Sequence, residues 1–134
     1  MVFEREKLSV PAMRQVLGDT LRRLGVNEDS VSDILLAATE ACANVVLHAN
    51  GSVRAYEVAA TVTAPNVSGA ACRVEVSDPG SGWTPPRRGR GQLAESGRGF
   101  AVMRACVDGV TLRTAPGQGT SVVLDKRITW DVPV

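Results

Sequence analysis

The chain has 134 residues, 44% of them hydrophobic and 22% charged, with a formal net charge of +1. That is enough for one domain, spanning 1–134, with a real core, and too little for two comfortable ones. Near-neutral charge and 4% aromatic content exclude a strong electrostatic footprint for nucleic acid or membrane.

Residues Val2 to Val10 alternate loosely and predict a short edge strand carrying Phe3 and Leu8. Ser9-Val10-Pro11 reads as a helix start, followed by Met13, Val16, Leu17, Thr20, Leu21 and Leu24 at helical spacing, with Gly25 as the stop. Asn27 to Ser30 supply capping side chains and acids for a second helix, Ser30 to Asn50. Its broad apolar face comprises Val31, Leu35, Ala38, Cys42, Val45, Val46 and Ala49, widened by Ile34 and Ala41. After the turn dipeptide Asn50-Gly51 the period changes to two. One strand runs from Val53 to about Ala64, then a Pro-Asn-Val-Ser-Gly turn leads into a second, Ala71 to Ser77, making a hairpin.

From Trp83 to Ser96 periodicity is lost, and the prolines, glycines and arginines there predict a mobile loop of about fourteen residues, a length that is usually functional. Gly97-Arg98-Gly99 leads into an apolar helix with Phe100, Val102, Met103 and Cys106 inward. Two last strands follow, Gly109 to Thr114 and Thr120 to Ile128. Strands joined as hairpins outside βαβ alternation predict an α+β two-layer sandwich, mostly antiparallel, with helices on one face. Cys42, Cys72 and Cys106 lie apart in apolar runs without a CxxC pair and read as buried thiols in a reducing cytoplasm. The charged start MVFEREKLSV lacks a signal-peptide core, and no apolar run reads as a bilayer span, so a cytoplasmic location is expected.

Polar residues interrupt this pattern at four places. Glu40, Asn44 and His48 recur at i, i+4, i+8, stacked along one line of the long helix, with Glu40 and Asn44 about 6 Å apart along its axis. In so apolar a helix they are either a solvated seam or a site. His48 reads as structural. Asp78-Pro79-Gly80-Ser81-Gly82 ends a strand; it is an ordinary turn or a place where backbone passes close to a ligand. Gly97 and Gly99 before a helix read either as a hinge or as amides offered to phosphate. No G-x-G-x-x-G or Walker A pattern accounts for these glycines. Arg87, Arg88 and Arg90 are a solvated run or an anion clamp.

In this order the four pieces resemble a known family. The chain is similar to the GHKL ATPase superfamily, the Bergerat ATP-binding fold of gyrase, histidine kinases and MutL, and within it to small bacterial anti-sigma factor serine/threonine kinases. Glu40 to Ala49 matches the N box, Asp78 to Trp83 the G1 box, Ser96 to Met103 the G2 box, and Gln118-Gly119-Thr120 the closing motif. The resemblance implies ATP and Mg²⁺ as cofactors, with Asn44 holding the ion and Glu40 as general base toward a protein hydroxyl. It also implies that Asp78, supported by Thr120, binds adenine, with Gly80 and Gly82 admitting the base. Gly97, Arg98, Gly99 and Phe100 would line the phosphate side beneath a lid spanning Trp83 to Ser96. Implied partners are a sigma factor, a STAS-domain anti-anti-sigma factor and a second copy of the chain through the amino-terminal strand and helix. One departure stands out: where several such kinases carry arginine before the Ser-Gly of the G2 box, this chain has Glu95. That residue favours the alternative of a nucleotide-gated binding module without phosphotransfer.

Overall fold

The structure, a computed structural model, describes residues 1–48, 54–66, 69–78, 90–115 and 119–128. Eight elements follow in the order β1 (Val2–Glu4), α1 (Ser9–Arg23), α2 (Glu28–His48), β2 (Ala55–Asn66), β3 (Gly69–Asp78), α3 (Arg90–Cys106), β4 (Gly109–Ala115) and β5 (Gly119–Ile128). The strands form one sheet of order β1-β2-β3-β5-β4, antiparallel at every pairing. Helix α2 packs between α1 and α3, and the core lies between the helices and the sheet. This is the α+β arrangement expected.

The turn between α1 and α2 is written in three residues. Gly25 takes φ 84, the left-handed region that favours glycine. Its N–H donates to the Arg22 carbonyl at 3.0 Å, and the Val26 N–H reaches back to the Leu21 carbonyl at 3.1 Å, satisfying the last carbonyls of α1. Asn27 then caps α2, its Oδ1 accepting the Asp29 N–H at 2.9 Å. Gly18 lets the two helices close: a Cβ there would lie 3.2 Å from Leu35 Cδ1.

On the sheet, residues alternate between the helix side and the open side. Tyr56 and Val58 of β2, Cys72, Val74 and Val76 of β3, and Val122 and Leu124 of β5 are all buried in the core cluster. The register aligns Val58, Val76, Val122 and Leu112 in one row across the strands. Polar residues on β3 and β5 share this inward parity. Asp78 and Thr120 extend the rows at one end. Lys126 extends them at the other, its ammonium 3.2 Å from the Asp33 carboxylate of α2 and donating at 2.8 Å to the Cys106 carbonyl at the end of α3. A cation there complements the helix dipole. Deeper still, the Ser9 hydroxyl and the Tyr56 phenol share a buried hydrogen bond of 2.7 Å.

Three differences from expectation have physical causes. The first strand stops at Glu4: the Arg5 N–H still donates to the Arg54 carbonyl at 2.9 Å, and the Glu6 N–H then turns back to the Glu4 carbonyl at 2.9 Å, while the Arg5 Nε donates to the Val46 carbonyl of α2 at 3.1 Å. Helix α3 begins at Arg90, not after Gly99, so part of the expected loop is helical. Gln92, Leu93, Ala94 and Glu95 are good helix formers and carry the helix across two glycines that break the sequence pattern. Finally, Glu28–Leu47 is long and apolar enough, by length and composition, to cross a membrane; half of that stretch is buried within the fold, as in a core helix. The expected turns around Asn50 and Pro116, residues 79–82 of the expected glycine turn and residues 83–89 of the expected lid lie outside the described residues.

All three cysteines are unpaired thiols in buried positions. Burial pushes the Cys42 thiol from 9.0 up to about 12 and the Cys72 thiol up to about 11. Because the folded pKa values are the higher, these groups hold their full contribution to stability below about pH 9 and lose it as pH rises through 9 toward 11 and 12. The expected outcome is a urea midpoint that falls steadily above pH 9, and a native protein whose thiols stay silent to Ellman's reagent at pH 8 until urea is added. Rapid reaction of native thiols at pH 8 would contradict their burial.

Candidate functional site

The site is assembled where the inward rows of the sheet meet the second half of α2. Asp78 is the last residue of β3 and sits opposite Thr120 of β5. Following Val74 and Val76 at period two, Asp78 must face the helices, and it is 6% exposed; Thr120, two residues before the inward Val122, is 7% exposed.

Above this pair lies a narrow, partly open cleft of about 20 Å³, lined by Ala41, Asn44, Val45, Asp78, Phe100, Leu112, Thr120 and Val122. Its walls are apolar and its polar groups are few and convergent, the usual make-up of a small-ligand site. Asn44 comes from α2, one turn after Glu40; both are half-buried. Helix α3 closes the other side at Gly99. A Cβ built there would stand 3.5 Å from Asn44 Nδ2 and 3.5 Å from Glu40 Oε2. The α3 backbone at Gly99 thus faces the carboxamide and the carboxylate, with room for one methyl group between them. Phe100, the next residue, is half-buried and lines the cleft, with the Arg104 guanidinium carbon 5.7 Å from its ring centroid.

Of the residues singled out from sequence, Glu40, Asn44, Asp78, Gly99, Phe100 and Thr120 therefore meet in one place. Arg98 is exposed beside them. Gly97 lies in α3, so its amide sits within a helix instead of ahead of one. Gly80 and Gly82 lie outside the described residues, and so does the side chain of His48. Four wall residues were missed: Ala41, Val45, Leu112 and Val122. A signal existed for each. Ala41 and Val45 directly follow Glu40 and Asn44 on α2, and Val122 shares the inward parity of Thr120, with Leu112 paired opposite it.

The lining offers apolar walls and, at Asp78, an acceptor for an exocyclic amine, which is the chemistry that a flat, polar-edged base requires. Among the described residues no group of three or more His, Cys, Asp or Glu gathers to form a cage for a metal. An ion such as Mg²⁺, which keeps several waters and takes one or two protein ligands plus phosphate oxygens, needs no such cage, and the Asn44 carboxamide suits it.

Comparison with known proteins agrees with this geometry. The family model "Histidine kinase-like ATPase domain" matches residues 3–126. The chain is 29% identical over 134 residues to an anti-sigma F factor of Pasteuria penetrans, covering 91% of this chain and 80% of that one. Its fold is similar to the crystal structure of the RsbU and RsbW domains of a Mycobacterium tuberculosis protein, with TM-score 0.62 and 18% identity. That match covers 96% of this chain and 32% of the other, so the chain spans about a third of that protein's length. It is also similar to the histidine kinase domain of a blue-light activated histidine kinase from Erythrobacter litoralis, with TM-score 0.54 and 15% identity over 89% of this chain and 61% of that one.

Gly99 costs α3 about 1 kcal/mol relative to alanine in a helix interior. Since the added methyl would meet Glu40 and Asn44 at ordinary contact distance, Gly99→Ala is expected to stabilise the fold by about that amount. Urea denaturation checks this, and a loss of stability would mean that the methyl displaces one of the two side chains.

Proposed function

The chain belongs to the histidine kinase-like ATPase domain family, and from that premise we propose that it binds ATP with Mg²⁺ and acts as an anti-sigma factor with protein serine/threonine kinase activity. In this reading it sequesters a sigma factor and phosphorylates a STAS-domain antagonist. The observation that carries the proposal is the convergence of Glu40, Asn44 and Gly99 at the mouth of an apolar cleft floored by Asp78. The likeness to an anti-sigma F factor supports the choice of partner class.

Each residue then has a task set by its place. Asp78 accepts from the adenine amine, and its burial among apolar walls makes that hydrogen bond count. Thr120, directly across the strands, completes the polar floor. Ala41, Val45, Leu112 and Val122 hold the base by contact area and exclude water. Asn44 offers its carboxamide oxygen at the phosphate end, where a bound Mg²⁺ supplies charge neutralisation for phosphoryl transfer. Glu40, one turn away, accepts the proton of the attacking hydroxyl. Gly99 keeps its backbone free of a side chain where the phosphates must come close.

A second reading rests on Glu95, which stands immediately before the Ser96-Gly97 pair. A carboxylate in place of an arginine supplies no positive charge for phosphoryl transfer, and a module gated by nucleotide without transfer would tolerate it.

Two substitutions separate these ideas. Asp78→Asn keeps the shape but loses the acceptor for one N–H, and is expected to weaken ATP binding about 10- to 100-fold in calorimetry. Unchanged affinity would remove Asp78 from the base site. Glu40→Gln is expected to leave ATP affinity within a few-fold while slowing transfer of radiolabelled phosphate to an antagonist by about 10²- to 10⁴-fold. ATP binding without transfer to any antagonist by the unaltered protein would replace the kinase reading with the gated module.

A further inference from the structure

Most apolar side chains of α2 are buried against the sheet and the other helices. Two leucines are not: Leu36 and Leu47 leave 44% and 58% of their surface in solvent. Ala43 is only half-covered. Positions 36, 40, 43 and 47 follow i, i+4, i+7, i+11 spacing and so form one outward ridge, about 16 Å long. Glu40 stands in that ridge, with a leucine one turn before it and another about two turns after it. The same carboxylate reaches Gly99 at the mouth of the cleft, so the apolar ridge is continuous with the site. Exposed cations flank it: Arg14 of α1, whose Nη1 donates to Thr39 Oγ1 of α2 at 2.8 Å, and Arg98, next to Gly99.

A single exposed leucine is ordinary. A pair bracketing the residue assigned to take a proton is a different matter, because whatever brings a hydroxyl to Glu40 must also cover those leucines if it is a protein. A small acceptor such as water would use Glu40 and leave the ridge bare. We infer that the Leu36–Ala43–Leu47 ridge is the docking surface for the protein acceptor, which presents its serine or threonine from an apolar patch with an acidic rim facing Arg14 and Arg98. This rests on the reading of the site as one that transfers phosphate to a protein hydroxyl. Covering the ridge shields Glu40 from water, strengthening its hydrogen bond to the hydroxyl.

The test uses the double variant Leu36→Asp with Leu47→Asp and, as probes, each purified STAS-domain protein encoded in the same genome. Both leucines lie outside the cleft lining, so ATP affinity by calorimetry is expected to stay within twofold of the unaltered protein. Transfer to the probe that the unaltered protein phosphorylates is expected to fall at least 30-fold, chiefly through a raised KM. Probe binding by the unaltered protein should weaken as salt is raised from 50 to 300 mM. Equal transfer by the double variant overturns the proposal. If no probe is phosphorylated but one binds, the transfer reading fails alone, and loss or retention of that binding in the variant decides the docking surface. If no probe binds, the surface is not a site for this class of partner and the proposal falls. If sedimentation shows that the variant has lost a dimer while keeping its probe, the ridge is a seam between copies and the proposal falls likewise. Should the double variant misfold, Leu47→Asn alone, at the more exposed position, must still lower transfer several-fold.

Discussion

The antiparallel register of β3 on β5 is the constraint from which the rest of the molecule follows. Pairing Val76 with Val122 and Val74 with Leu124 buries both strands' apolar sides against the helices. A slip of one residue would turn every one of those side chains to the open face, so the register is strongly specified. The same alternation then forces Asp78 and Thr120 to point inward together, one step past the apolar rows. The core therefore aims the polar pair, and no separate device is needed to hold a carboxylate at the bottom of an apolar slot.

At the opposite end of the same rows Lys126 is also turned inward, and there the sandwich resolves the polarity within itself: the ammonium joins Asp33 of α2 to the last carbonyl of α3. At the Lys126 end, a satisfied cation ties β5, α2 and α3 together. At the Asp78 end, the helices are brought together through Gly99, a residue that weakens its own helix.

Much of this was legible in the sequence because it rests on period and parity. The strands of the two hairpins, the stop at Gly25, the cap at Asn27 and the buried face of α2 all follow from local rules, and the structure differs from them by a few residues at element ends. Glu40 and Asn44 stood out because they interrupt an apolar helix. The start of α3 did not, because glycines at 91, 97 and 99 mask a run of good helix formers, and whether such a run is helical depends on what packs against it. Leu112 and Val122 were read as core strands but not as cleft wall, since that depends on a cross-strand partner and not on local pattern.

Helix α2 carries three jobs on one cylinder, and their angular separation explains why its sequence looks so apolar. Val31, Ile34, Ala38, Ala41 and Cys42 belong to the core. Asn44 and Glu40 meet α3 at Gly99. Leu36 and Leu47 are left outward. An amphipathic surface helix needs only the first face apolar, with polar residues elsewhere. Here the third side stays apolar too, so the stretch passes a length-and-composition test for spanning a bilayer although half of it is buried in the fold. Glu40 lies where the second and third faces adjoin, touching the cleft on one side and the leucine ridge on the other. A carboxylate placed there adjoins the cleft within the fold and the exposed leucines outside it, the position that the proposed transfer from a nucleotide to a protein hydroxyl calls for.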